Sequence, residues 1–238
     1  MRNLLAISLS LWVLPFTAEA ADVVINNGLA PPNPANVIDY NTSGQVYVRN
    51  VGCPPGWPSG EPYDPCPAPG APTEVLIAEG AEVSGLHVYD SSSLAIESGG
   101  APYGYITAHD DATLTMSGGW ATVVGASESA EVTISGGSFG FETVLCVATD
   151  SAKITIVGTD FTIDGGFVPY GDLWGTGTLG GYLASGEYFG NVNFNAYDGT
   201  ITLVPPPPPV PALPMWGYLA LAGGLIAAAS VVLRRRAA

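Results

Sequence analysis

"YITAHDDATLTMSGG", residues 105–119, decides the architecture. Ile106, Ala108, Ala112, Leu114 and Met116 put an apolar or small residue at alternate places. Asp110 interrupts them and Gly118-Gly119 ends the run. The same template recurs upstream as Leu86, Val88, Asp90, Ser92, Leu94 and Ile96 before Gly99-Gly100. It recurs downstream as Val124, Ala126, Glu128, Ala130, Val132 and Ile134 before Gly136-Gly137, then as Cys146, Ala148, Asp150, Ala152, Ile154 and Ile156 before Gly158. Start-to-start spacings are 20, 18 and 22 residues, and Val75, Ile77, Glu79, Ala81 and Val83 form a partial copy ahead of them.

Alternation with period two is the signature of a strand. The acidic interruption predicts two short strands per copy joined by a bend, and the glycines predict a corner that needs φ > 0. A repeat this short cannot bury its own apolar face, but stacked copies share one core. The expected fold is all-β: a short parallel β-helix (β-solenoid) of about four to five rungs over residues 75–160. Four rungs stand about 20 Å tall at ~4.8 Å each. The rival is an antiparallel meander folded into a sandwich. The regular spacing of the acidic residues across unequal loops favours stacking. Open ends need covers. The Cys- and Pro-rich segment 21–74 is the expected N-terminal cap, and 161–204 the C-terminal one, with Phe161, Leu183, Phe189, Phe194, Ile201 and Leu203 packing on the last rung.

Both ends of the chain carry targeting signals. Arg2, an apolar run from Leu4 to Phe16 and the site Ala18-Glu19-Ala20 predict a signal peptide over 1–20. Pro205 to Pro209 opens a stiff linker, 205–214. Trp216 to Leu233 is free of charge, and the segment 215–238 is the expected transmembrane helix. Arg234, Arg235 and Arg236 would hold its end in the cytoplasm, and Trp216 and Tyr218 sit where an interfacial belt belongs.

Between Ala21 and Pro214 only Arg49 and Lys153 oppose twenty acidic residues, a formal charge of −18. Such a surface excludes a nucleic-acid partner, which needs a basic footprint. Cys53 and Cys66 bracket a proline-rich loop, and export predicts a disulfide between them. Closing that loop stabilises by about 3 kcal/mol in the chain-entropy model. No His or further Cys lies near enough to favour a metal there. Cys146 falls on the inward face as a small core residue.

The tail resembles the PEP-CTERM class of bacterial sorting signals, and "VPALPMWG" is similar to its IPTL-type variant at Val210, Pro211, Leu213, Trp216 and Gly217. Ala212, Pro214 and Met215 depart from that pattern. The resemblance implies an exosortase-type membrane protease as partner. It implies an inner-membrane-anchored intermediate, then release to the cell surface or beyond. The exported body also resembles a group of bacterial surface proteins without assigned activity. The matching pieces are Val23 to Asp39, Val46 to Pro55, the repeats, and Gly177 to Val204.

Chemistry is sparse. Stacking places Asp90, Asp110, Glu128 and Asp150 above one another. The column reads either as a Ca²⁺ ladder or, preferred, as carboxylates that each cap their own turn. No other cofactor is expected. His87 and His109 occupy different template positions on the outward parity and read as two solvated side chains. Parallel β-helix proteins include lyases of acidic polysaccharides, which use Ca²⁺ and a basic residue, but only Arg49 and Lys153 are on offer. Asp110-Asp111, or Glu128 with Glu131, are the candidate pairs for a hydrolase, yet every rung carries similar acids. No catalytic residues are assigned. The expected function is a non-enzymatic surface or extracellular-matrix protein. The alternative is a polysaccharide-binding or polysaccharide-cleaving module, with Tyr89, Tyr103, Tyr105 and Trp120 as candidate sugar contacts.

Overall fold

The computed structural model describes residues 22–26, 28–50, 72–78, 80–98, 100–139 and 145–208. The strands lie in the unit Met1–Pro206, and the unit Pro207–Ala238 is almost wholly outside the described residues. The signal peptide, Cys53, Cys66, the sorting motif and the expected transmembrane helix also lie outside them. Among the described residues no helix is long and apolar enough to cross a membrane.

The fold is all-β, and most of its strand pairs are parallel. Two long stacks account for most of them, and a short third run aligns Gly100-Ala101, Trp120-Ala121 and Ser138-Phe139. One runs through β2 (Val37–Ile38), β4 (Glu74–Ile77), β6 (Ser93–Ile96), the first half of β8 (Thr113–Ala126), β9 (Glu131–Phe139), β11 (Lys153–Ile163) and the end of β14 (Tyr188–Val204). The other runs through β1 (Val23–Ile25), β3 (Thr42–Val48), β5 (Val83–Val88), β7 (Gly100–Ala108), the second half of β8, β10 (Leu145–Ala148) and the middle of β14. The chain alternates between the stacks, so each pass adds one level to both.

Register explains the template. Ile38, Ile77, Ile96, Met116, Ile134, Ile156 and Leu203 align strand to strand in one column. Each is at most 1 % exposed, so the column is dry. Val75, Leu94, Leu114, Val132, Ile154 and Ile201 form the column beside it. In the other stack Val46, Leu86, Ile106, Val124, Cys146 and Phe194 align and are buried. Burying one such side chain contributes about 1.5–3 kcal/mol, an upper figure because the unfolded chain is already partly compact. No single copy could do this alone.

The paired glycines divide the work at the corner. A Cβ on Gly118 would overlap the Glu97 carbonyl of the level before, and one on Gly136 would overlap that of Ser117. The next residues, Gly119 and Gly137, take φ of 78° and 107°. The first glycine therefore permits close backbone approach, and the second permits the turn.

The C-terminal segment does more than pack on the last repeat. β14 pairs in parallel with β10 and with β11, placing Phe194 and Ala196 in one stack and Ile201 and Leu203 in the other. Along its other side runs β13 (Gly171–Leu183), antiparallel, which also pairs with the end of β11. β13 thus covers the edge that β14 would leave open. A tight hairpin joins β11 to β12 (Gly166–Phe167) through Asp164 and Gly165, both with positive φ, at 50° and 82°. That is the Asp-Gly turn whose twist matches the strands.

Candidate functional site

The acidic positions sit in a four-residue turn that recurs at every repeat. Ser92, Ala112, Ala130 and Ala152 donate their backbone N–H to the carbonyls of Tyr89, His109, Ser127 and Thr149 at 3.1–3.2 Å. The second residue of each turn is left-handed: Asp90 at φ 59°, Asp110 at 57°, Glu128 at 63° and Asp150 at 57°. Asp is among the few non-glycine residues that tolerate this region.

The carboxylates are brought together as expected, but they do not cap their own turns. Asp90 N–H donates to Asp110 Oδ2 at 3.0 Å, Asp110 N–H to Glu128 Oε2 at 2.6 Å, and Glu128 N–H to Asp150 Oδ2 at 3.4 Å. Each acid therefore caps the turn one level before it. Asn50 N–H donates to Asp90 Oδ2 at 3.3 Å and heads the ladder, a member that sequence reasoning assigned to the cap. An ionised acceptor strengthens each of these bonds. Beside them, Ser129 donates its hydroxyl to Asp111 at 2.6 Å, and Ser151 donates to the Glu128 carbonyl at 2.7 Å. Among the described residues no group of three or more His, Cys, Asp and Glu is disposed to hold a metal ion.

One step away, on the outer face of the second stack, the histidines meet. Register places His87 on Tyr47 and against Thr107. The rings of Tyr47 and His87 stack at 5.1 Å and those of Tyr89 and His109 at 4.7 Å, with His87 and Tyr89 at 6.5 Å. The Arg49 guanidinium lies 5.2 Å from the Tyr89 ring centre, a cation–π contact. The Thr107 hydroxyl lies 2.8 Å from His87 Nδ1 and 2.9 Å from His109 Nε2, and His109 Nδ1 lies 2.8 Å from Ser127 Oγ. The two imidazoles are thus half-buried members of one network rather than separate solvated groups. Burial lowers both below the ordinary histidine value. For His87 the charge of His109 adds to this and Asp22 opposes it; for His109 Glu128 and Asp110 oppose it. Burial raises the Tyr89 phenol, against the pull of Arg49. Because the rings stack on one another, their faces are taken, and Tyr89 offers no platform to a sugar.

The remaining candidates scatter. Arg49 is only 8 % exposed, inside the ring ladder, while Lys153 is exposed on the other stack between Glu131 and Thr200. The two cations do not converge. Tyr105 is 60 % exposed, and Trp120 is half-buried in register with Ser138. The side chain of Tyr103 lies outside the described ones. A groove of about 420 Å³ crosses β4, β6 and β8 under Pro31. Glu74 is the only ionisable group among the described residues lining it, so it holds no acid–base pair. Among the described residues the most exposed rings are Phe167, Trp174 and Tyr188, all in the C-terminal segment, which the repeat template does not reach.

Comparison of the chain with protein-family models, with curated proteins and with solved structures finds no match.

Proposed function

We propose that this chain is a non-enzymatic exported protein of the cell surface or extracellular matrix, built as a short parallel β-solenoid with capping segments. It is held first by a C-terminal transmembrane helix and then processed by an exosortase-type protease at Val210, Pro211, Leu213, Trp216 and Gly217, ahead of Arg234–Arg236. A Cys53–Cys66 disulfide tightens the loop between β3 and β4.

One observation carries the non-enzymatic reading. The outward polar groups engage each other along the wall instead of converging on a cleft: each ladder acid takes a backbone N–H of the level before, and both imidazoles share the Thr107 hydroxyl. An acid or base held this way is a strut, whereas catalysis needs it free and aimed at a common point. The strongly anionic body suits a hydrated exterior.

Mass spectrometry of the protein recovered from the surface of producing cells tests the reading. The expected product starts at Ala21 and ends near the 205–217 segment. Recovery of the intact 238-residue chain in the cytoplasm would overturn it.

A further inference from the structure

We propose that the outer face of the β13–β14 ribbon binds a neutral polysaccharide, with Trp174 at one border and Tyr182 and Tyr188 at the other. The inference deepens the surface-protein reading and rests on it for where such a polymer is met, not for whether binding occurs.

Trp174 is 66 % exposed, Tyr182 47 % and Tyr188 64 %. Leu173 and Leu183 are buried, so their neighbours Trp174 and Tyr182 point the opposite way, to solvent. Tyr182 faces Tyr188 across the pair, with ring centres 5.4 Å apart at 60°. Seven residues separate Trp174 from Tyr182 along the strand, a span of about 26 Å at the usual rise. Its outward positions are Thr176 and Thr178, with Asn193 opposite Thr178. Thr178 donates its hydroxyl to Asn193 Oδ1 at 3.3 Å, which leaves the Asn193 amide N–H groups without a protein acceptor among the described residues.

Charge selects the occupant. Trp174, Thr176, Thr178, Tyr182, Tyr188 and Asn193 carry none, on a body whose formal charge is −18. A polyanion is repelled by that body. A polycation would seek carboxylates, which the acid ladder and Asp172 and Glu187 beside the patch supply, not rings and hydroxyls. A protein partner docks through a continuous apolar centre, and here hydroxyls and amides separate the rings. A neutral sugar chain offers what remains: C–H faces for the aromatic borders and hydroxyls for the polar middle. Unlike the Tyr47–His87 and Tyr89–His109 pairs, these rings keep solvent-facing surface.

The test is native affinity electrophoresis of the purified full-length protein in detergent, in gels cast with mixed-linkage β-glucan, glucomannan or polygalacturonate. Retardation is expected in at least one neutral gel and none in polygalacturonate. Trp174→Ala and Tyr188→Ala should each weaken it roughly tenfold, the worth of about one aromatic contact. Trp120→Ala should leave it unchanged. Both border residues are exposed, so an unaltered melting temperature shows that the variants fold. No retardation in either neutral gel, undiminished retardation of the Trp174→Ala/Tyr188→Ala double variant, or retardation in polygalacturonate overturns the proposal. None of these results alters the C-terminus found by mass spectrometry, so the two readings fail separately.

Discussion

The carboxylate of Asp110 accepts the backbone N–H of Asp90, twenty residues earlier, at 3.0 Å. Both residues are left-handed, at φ 57° and 59°. One residue type thus meets two demands at once: it tolerates the turn, and it ties that turn to the level before.

Substitutions at Asp110 should separate these demands. Asp110→Asn keeps the conformation and an acceptor and should cost least. Asp110→Gly keeps the conformation but loses the bond. Asp110→Ala loses both and should cost about 2–4 kcal/mol, from ~1–2 for the left-handed residue and ~1–2 for a charge-assisted bond. Urea unfolding gives the order; equal costs for Gly and Ala would refute the conformational part.

The His87–Thr107–His109 network predicts the response to pH. Burial lowers both imidazoles, so at mildly acidic pH the unfolded chain binds more protons than the folded one. Stability should be complete above about pH 6.5, the ordinary histidine value, and fall as pH drops below it. Melting temperature recorded from pH 8 to 5 checks this. His87→Gln/His109→Gln should flatten the profile across that window.

Gly118 and Gly136 should resist substitution through contact, Gly119 through conformation and Gly137 through both. Gly118→Ala forces a Cβ into the Glu97 carbonyl, and rigid backbone cannot yield cheaply. A loss of about 1–3 kcal/mol or more is expected by denaturant unfolding. A neutral result would place the corner elsewhere.

Cys146 should be a silent thiol. It is fully buried, and burial pushes it from an ordinary 9.0 to about 12. Its thiolate fraction near neutral pH is then roughly a thousandfold below that of a free cysteine. With Cys53 and Cys66 paired, the native protein should give no reaction with a thiol reagent and one equivalent after non-reducing denaturation. Three equivalents would remove the disulfide.

The repeat was legible because its period survives in each copy from Leu86 to Ile156. The first and last levels were not. In β14 the register reaches Ala196 opposite Ala148 and Thr200 opposite Lys153, so three residues, 197–199, replace the four-residue turn 149–152. One deletion there breaks the template, though Asp198 keeps its place. At the other end, "VYVRN" aligns with "LHVYD" through Tyr47 and His87, but the long segment after Asn50 hides the spacing. The Asp164-Gly165 hairpin carries a clear local signal, an Asp-Gly dipeptide, but it lies outside the repeat template. Parity placed His87 and His109 outward. That Thr107 would bridge them needed two adjacent columns at once, which a single strand's alternation does not show. Trp174 and Tyr188 lie where nothing repeats, so no pattern marked them.

The repeats stack in parallel, one level on the next, and backbone NOEs between the segments around Leu94, Leu114, Val132 and Ile154 read that pairing out. Inter-strand contacts are expected in the order 94–114–132–154, without the close Hα–Hα contacts of antiparallel pairs. Strong Hα–Hα cross-peaks between successive segments would mean a meander and would rule parallel stacking out.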